Sequence, residues 1–231
     1  AQAEIEILKS RLVLGSVIKN LNLDLRIYSD EDSFFNRLIG HEQPQIEYQS
    51  QHVILKDNQK SFDIREFQVP THYLDKALVL KIEKNNFILS DKSTEKVILK
   101  GQINQKNTLN TPEGQWAIAI FTQDQFPHTY TISKLSTPAA INLLASNYAV
   151  AEKGKMTGVL GLNYQGTDKE HITRVLNSIL AVYSQQNIER RSAESAQTLK
   201  FLDEQLPDLK KQLDIAERDF NAFRSEYNTV D

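Results

Sequence analysis

The chain has 231 residues, of which 40% are hydrophobic and 25% are charged. This composition lies in the globular range and allows a sizeable core, either in one large domain or in one domain plus an extension. The formal net charge is -3, so no basic surplus points to a nucleic-acid partner. Cysteine is absent, which excludes disulfides, thiolate metal sites and cysteine nucleophiles.

The first part of the sequence has a helical period. Apolar residues predict a helix over residues 3–21 with one buried face, formed by Ile7, Leu14, Ile18 and Leu21. We find no signal peptide and no apolar run of about 18 residues. Residues 1–7 already read as the start of an amphipathic helix, so we expect a segment of a longer protein. Residues 29–52 are mostly polar and predict a loop that holds one short helix over residues 34–39.

From about residue 62 to residue 135 the hydrophobic period changes to two, which predicts a run of antiparallel strands. The alternation is clearest at Leu78, Leu80 and Ile82. One slip in the alternation predicts a β-bulge between the pairs Phe62/Ile64 and Phe67/Val69.

A second helix is predicted after these strands. Thr137 is its expected N-cap, Pro138 its first helical residue, and its buried face is formed by Ile141, Leu143, Leu144 and Tyr148. Residues 156–164 predict a last strand, in which Gly158 and Gly161 indicate close packing of a neighbouring backbone.

A long helix is the strongest signal in the sequence. Residues 168–231 contain no glycine and one proline, and as one helix they would span roughly 95 Å, so part of it must project. In its second half, spacings of three and four alternate over four heptads. These positions predict a coiled-coil seam formed by Leu199, Leu202, Leu206, Leu209, Leu213, Ala216, Phe220, Phe223 and Tyr227.

Three further points concern this helix, and two of them leave alternatives open. Pro207 lies at a b position, away from the seam, and predicts a bend in the helix rather than a loop. An ordinary amphipathic helix on a core would show a similar period, although the narrow stripe favours a coiled-coil partner. The polar residues 184–198 are either solvent-exposed or contacted by neighbouring subunits.

The sequence therefore predicts an α+β fold: a mostly antiparallel sheet packed with helices, plus a projecting, coiled-coil-forming C-terminal helix. We expect residues 1–166 to form an α/β base domain and residues 167–231 to form a helical extension.

A search for chemistry gives no catalytic, cofactor-binding or metal-binding residues. The five histidines show no metal-ligand spacing, and no nucleophile motif occurs. Residues 153–157 superficially resemble a phosphate-binding loop but lack its glycine spacing, and they read as a basic turn.

Two segments resemble a known family. EIEILKSRLVLGSVIKNLNL at residues 4–23 looks like the first helix of chain-length determinants with the Wzz fold. The segment at residues 158–224 is similar to Wzc-type bacterial tyrosine autokinases: a strand, a Thr-Asp cap, a VLN helix and FLDEQLPDLKKQLDIAERDFNAFR follow one another. The resemblance favours the Wzc branch of these polysaccharide co-polymerases over the Wzz branch.

The resemblance implies the periplasmic domain of a bacterial inner-membrane protein that controls the chain length of capsular or exopolysaccharide. It implies a ring of copies of the chain, commonly an octamer, and contacts with a polysaccharide polymerase, an outer-membrane exporter and the nascent glycan. ATP and Mg²⁺ would belong to a kinase domain outside these residues, as would the two membrane helices. The sequence also ends before the returning helix that would pair with residues 199–227 in this family.

Three alternatives remain open. A Wzz-type regulator of O-antigen length would lack the kinase. A periplasmic adaptor of an efflux or secretion system also combines β-rich parts with a coiled coil, but it predicts lipoyl-like halves that we do not find. A carbohydrate-active enzyme would need two carboxylates converging in a pocket.

Overall fold

The computed structural model describes residues 1–30, 43–125 and 127–228. The chain divides into two compact units, Ala1–Tyr183 and Ser184–Asp231. Antiparallel sheets, the helices and a long C-terminal helix confirm the predicted α+β class.

The helices of the described chain are α1 (Gln2–Leu8), α2 (Arg11–Leu21), α3 (Thr137–Ser146) and α4 (Lys169–Asn228). The strands are β1 (Leu25–Ser29), β2 (Gln45–Tyr48), β3 (Val53–Asp57), β4 (Lys60–Gln68), β5 (Leu78–Glu83), β6 (Asn86–Asp91), β7 (Val97–Gln102), β8 (Lys106–Thr111), β9 (Gly114–Phe121), β10 (His128–Lys134), β11 (Tyr148–Glu152) and β12 (Leu160–Tyr164). One five-stranded sheet has the order β1-β10-β5-β6-β7 and a second has β2-β3-β4-β9-β8. The strands β11 and β12 form a separate hairpin.

The two five-stranded sheets share one hydrophobic core. Leu78, Leu80 and Ile82 of β5 are fully buried, because alternate residues of a strand face the same side of a sheet. Phe62 of β4 meets Tyr130 of β10 edge to face, with ring centroids 5.4 Å apart. The predicted strands and the predicted bulge are confirmed, the latter by a register shift between Ile64 and Glu66.

A second core joins the helices to the β11–β12 hairpin. It contains buried residues of α2, α3, β11 and the first turns of α4, among them Val13, Val17, Leu144, Val150, Val175 and Ile179. These first turns of α4 therefore belong to the first compact unit.

The prediction of a single helix over residues 3–21 is wrong in one respect, because the structure has two helices separated by a break at Lys9–Ser10. The Ser10 hydroxyl accepts a hydrogen bond from Val13 N at 3.3 Å and begins α2 as its N-cap. The apolar stripe continues across the break because Leu8 and Leu14 are buried in the same core.

Other boundaries also differ from the sequence predictions. The expected loop over residues 29–52 contains β2, and the short helix expected at residues 34–39 lies outside the described residues. The N-cap of α3 is Ser136, not Thr137, since the Ser136 hydroxyl accepts from Ala139 N at 3.4 Å. Tyr148 begins β11 instead of lying on the helix.

The strand predicted over residues 156–164 begins only at Leu160. Met156 has a positive φ of 55° and Gly158 one of 72°, so this backbone turns instead of extending. Gly161 makes room for the side chain of Lys153 and not for a neighbouring backbone, because a Cβ placed there would lie 2.7 Å from Lys153 Cε.

The start of α4 agrees with the sequence prediction. A carboxylate oxygen of Asp168 accepts hydrogen bonds from Glu170 N at 3.0 Å and His171 N at 3.2 Å, which caps the helix. From there α4 runs to Asn228 as one continuous helix that includes Pro207.

Candidate functional site

The heptad seam is the candidate functional site. Its nine residues all lie on α4 within the second compact unit: Leu199, Leu202, Leu206, Leu209, Leu213, Ala216, Phe220, Phe223 and Tyr227. Every one of them is exposed, and the large side chains range from 45% exposed at Leu202 to 69% at Tyr227. The seam is therefore a long apolar stripe that solvent reaches.

The seam ends in an aromatic pair. Phe223 and Tyr227 occupy successive d and a positions, and their ring centroids lie 4.6 Å apart at 45°. Residues four apart on a helix are neighbours on its surface, so these rings form one continuous patch. Such rings carry large apolar area and are preferred anchors in interfaces.

Charged residues line one edge of the seam. The e positions are Asp203, Lys210, Glu217 and Arg224, which alternate in sign along the helix. The opposite edge consists of the g positions. It is uncharged at Thr198, Gln205 and Gln212, and its later g positions are acidic. In coiled coils, charges at these edges select the partner and its orientation. The seam consequently has a defined charge pattern that a matching helix would complement.

Two apolar residues outside the a and d positions were missed by the sequence reasoning. Phe201 and Ile215 both occupy c positions, and Phe201 is 60% exposed. Their signal was present in the sequence, but a strict heptad template passes over it. They widen the apolar surface beyond a two-helix seam, so α4 has room for more than one helical neighbour.

Pro207 lies at a b position, outside the seam. It has no backbone N–H, so the carbonyl of Asp203 loses its usual donor one turn earlier. The helix nevertheless continues through Pro207, and the expected bend stays a prediction.

The first compact unit contains an open polar groove of about 980 Å³ between β2, β3 and the start of α4. Lys56 Nζ lies 2.9 Å from Glu47 Oε2, and an Arg174 nitrogen lies 3.5 Å from Glu47 Oε1. The hydrogen bond from Lys56, then that from Gln49, holds the pKa of Glu47 below its ordinary value. Both cations are thus used to hold the carboxylate, and the network joins α4 to β2.

His171 lies beside this groove. Its ring is 5.5 Å from the Tyr48 ring and 5.9 Å from the Tyr164 ring, and its buried Nδ1 has no hydrogen-bond partner among the described residues. Burial lowers the pKa of this imidazole, although the Asp168 carboxylate partly opposes the shift. His171 is therefore a neutral packing residue at the base of α4.

Neither metal ligands nor membrane helices are found in the described parts of the chain. Within residues 1–30, 43–125 and 127–228, no group of three or more His, Asp or Glu residues could hold a metal ion. In the same ranges, every helix is too short or too polar to cross a lipid bilayer.

No protein-family model matches the chain. Solved structures resemble it only remotely: the flagellar protein FlgL of Xanthomonas campestris is 10% identical, with a TM-score of 0.28 over 92% of this chain and 59% of its own. A likeness at that level carries no argument.

Curated relatives match the whole chain. The tyrosine-protein kinase ptk of Acinetobacter johnsonii is 62% identical over 100% of this chain and 32% of its own length. The tyrosine-protein kinase wzc of Salmonella typhimurium is 32% identical over 100% of this chain and 30% of its own. The tyrosine-protein kinase etk of Escherichia coli K12 is 30% identical over 99% of this chain and 29% of its own.

The match over the entire chain confirms the resemblance that residues 4–23 and 158–224 indicate. It includes the strand-rich middle, which the motifs left unmatched. Over its entire length the chain is homologous to Wzc-type tyrosine-protein kinases, and it spans about a third of their length.

Proposed function

We propose that this chain is the periplasmic oligomerising and regulatory module of an inner-membrane tyrosine kinase that acts as a polysaccharide co-polymerase. In this role it governs the chain length, polymerisation and export of a capsular polysaccharide or exopolysaccharide. The relatives are named tyrosine-protein kinases, which favours the kinase-bearing branch over a kinase-free Wzz regulator. Kinase chemistry, with its ATP and Mg²⁺, takes place outside these residues.

The exposed seam of α4 carries this proposal. Covering a leucine side chain is worth about 1.5–3 kcal/mol, so nine exposed a and d positions are a strong drive to bind another helix. Conformational entropy and desolvation of the polar edges offset part of that gain. A monomer that keeps so long an apolar stripe uncovered favours an interaction module over an isolated domain.

The mechanism we propose is geometric. Copies of the first compact unit associate side by side in a ring, and helices that pair through the seam frame a space for the polysaccharide polymerase or the nascent glycan. Contacts with an outer-membrane exporter extend the assembly. Phosphorylation of the kinase domain shifts this assembly, and the present module transmits the shift to the periplasmic side.

The alternating charges at the e positions restrict the helix that fits the seam. A partner must place cations against Asp203 and Glu217 and anions against Lys210 and Arg224. Edge pairs of this kind contribute little energy when exposed, but a like-charged arrangement would be rejected. The apolar seam thus provides the affinity for a partner helix, and the charged e positions determine the register in which that helix binds.

The test uses the full-length protein in its native host. Leu206→Asp with Leu213→Asp introduces two charges into the seam, and each buried charge costs several kcal/mol, roughly. We expect a smaller assembly by native mass analysis and an altered polysaccharide length on gels.

The matched control is Gln197→Asp with Asn221→Asp, which adds the same two charges at f and b positions outside the seam. It should leave assembly and polymer unchanged. Unaltered assembly and polymer in the seam variant, with the protein folded by circular dichroism, would overturn the proposal.

A further inference from the structure

The hairpin of β11 and β12 ends in a seven-residue turn, residues 153–159, which we call the hairpin tip. Met156 at its apex is 96% exposed and Val159 is 55% exposed. A nearly fully exposed methionine contributes nothing to the core of its own domain. The tip therefore presents apolar side chains outward.

Two cations directly precede this apolar apex in the sequence. Lys153 and Lys155 are both exposed, and the hairpin tip contains no acidic residue. The aliphatic stem of Lys153 crosses Gly161, as the 2.7 Å approach of its Cε to a Cβ placed there requires. A lysine that lays its stem along the chain and keeps its amine in water is suited to an interface between apolar and anionic groups.

The nearby acid offsets only one of the two lysine charges. A carboxylate oxygen of Glu152, at the end of β11, accepts a hydrogen bond from Gly158 N at 2.9 Å. That bond directs the carboxylate to the backbone of the turn. The hairpin tip keeps a basic, apolar character.

Backbone and hydroxyl hydrogen bonds hold the hairpin tip in one shape. Lys153 N donates to Val159 O at 2.7 Å, Val159 N donates to Thr157 Oγ1 at 3.2 Å, and the Thr157 hydroxyl donates to Lys153 O. Met156 lies in the left-handed region, which long side chains rarely adopt. A surface already fixed in its binding shape loses little entropy when it binds.

The hairpin is also fixed to the helical core behind it. The Tyr148 hydroxyl of β11 donates to Leu8 O of α1 at 3.3 Å, and Val150 shares a buried cluster with Ile5 and Leu8. The tip consequently projects from a rigid support.

We propose that the hairpin tip docks on an anionic phospholipid surface. Met156 and Val159 enter the boundary between headgroups and acyl chains, and Lys153 and Lys155 bind the headgroup phosphates. Basic residues beside exposed apolar residues are the composition of interfacial membrane contacts. The inference rests on the proposed function, because that function places a membrane next to this domain.

One tip provides only weak, reversible binding. Two lysines and a methionine give far less affinity than a lipid anchor or a membrane helix. A protein already held at the membrane needs no more, since tethering raises the effective concentration of the tip and a ring multiplies it. The contact would orient the module with respect to the bilayer.

A single fluorophore tests the proposal in the full chain, which contains no cysteine. Met156→Cys is labelled with a polarity-sensitive dye, and the protein is tethered through an N-terminal histidine tag to vesicles that contain chelating lipid. We expect a blue shift on phosphatidylglycerol vesicles that raised salt and Lys155→Gln both reduce. Gln59→Cys, in the exposed turn between β3 and β4 and also at a positive φ, of 67°, is the matched control.

An unshifted dye at position 156 would overturn the proposal, and so would an equal shift at position 59 or on phosphatidylcholine. A shift that requires an added protein, and not lipid, would also overturn it. These outcomes leave the seam experiment untouched, because that experiment measures assembly and polymer length.

An unlabelled comparison removes any effect of the dye. Met156→Asn keeps the left-handed backbone, which asparagine tolerates, and Lys155→Gln removes one charge. Combined, they should weaken cosedimentation with phosphatidylglycerol vesicles about tenfold. Undiminished cosedimentation of a folded double variant would reject the tip as the contact.

Discussion

Arg174, in the second turn of α4, donates a hydrogen bond to the backbone carbonyl of Tyr48 in β2 at 3.2 Å. The same guanidinium lies 3.5 Å from the Glu47 carboxylate. These contacts connect the long helix to an edge strand of the second sheet. Any force on the first turns of α4 therefore reaches the sheet through two hydrogen-bonded groups.

Replacing Arg174 by alanine should lower the free energy of unfolding of the first unit by about 1 kcal/mol, because the Tyr48 carbonyl and Glu47 lose a donor. Urea denaturation followed by circular dichroism measures the change. Lys169→Ala, on the same helix and outside this network, is the control and should change stability by less. An Arg174→Ala variant as stable as the wild type would show that solvent replaces both contacts.

His171 should make stability depend on pH. Burial lowers its pKa in the folded state, so its neutral form stabilises the fold above the unfolded value of about 6.5. As pH falls below that value and through the folded pKa, this contribution is lost. The stability of the wild type, measured relative to His171→Phe, should therefore fall as the pH is lowered from about 7.5 to about 5.5.

Nuclear magnetic resonance titration of the His171 ring gives an independent measurement. A ring that titrates at or above the value of an unfolded peptide would contradict the burial argument.

Replacing either of two glycines by alanine should change the free energy of unfolding, in opposite directions at the two positions. At Gly15 in α2 a Cβ would meet Ile141 Cδ1 at 3.7 Å, an ordinary contact, so Gly15→Ala should stabilise by up to about 1 kcal/mol. At Gly101 in β7 a Cβ would lie 2.4 Å from the ring of Phe87, which is fully buried. Gly101→Ala should destabilise by roughly 1–3 kcal/mol. Thermal unfolding of the two variants side by side checks the pair, and equal effects would contradict it.

Sequence periodicity predicted the strands best where one face of each is fully buried. Leu78, Leu80 and Ile82 alternate with less buried residues, and their partners Leu89 and Phe87 in β6 continue the buried face. In β2 only Tyr48 is fully buried, so no alternation signals that strand. The break at Ser10 was hidden because the helical stripe resumes in phase on the other side.

The seam was visible because heptads are a local property of one helix. The groove network was not, since Glu47 and Arg174 are 127 positions apart and no local pattern joins them. The sequence analysis placed Met156 in a strand because hydrophobic alternation carries no information about the sign of the backbone angle φ. The φ of Met156 is positive, and the hydrogen bonds of the turn hold it there. Phe201 and Ile215 were passed over because a strict a and d template excludes c positions.

Pro207 provides a last test, of the predicted bend in α4. In a straight helix, spin labels at Gln197→Cys and Arg218→Cys would have backbone positions about 31 Å apart, at about 1.5 Å per residue. Because the proline ring crowds the Asp203 carbonyl, we expect a shorter distance, and Pro207→Ala should lengthen it by restoring the missing hydrogen bond. Electron–electron double resonance measures both distances, and the absence of native cysteine keeps the labels specific.

Asp208→Ala is the control for a change in the neighbouring residue and should leave the distance as in the wild type. Equal distances with proline and alanine at position 207 would mean that the helix absorbs the proline without bending, and the seam would then present one straight face to its partner.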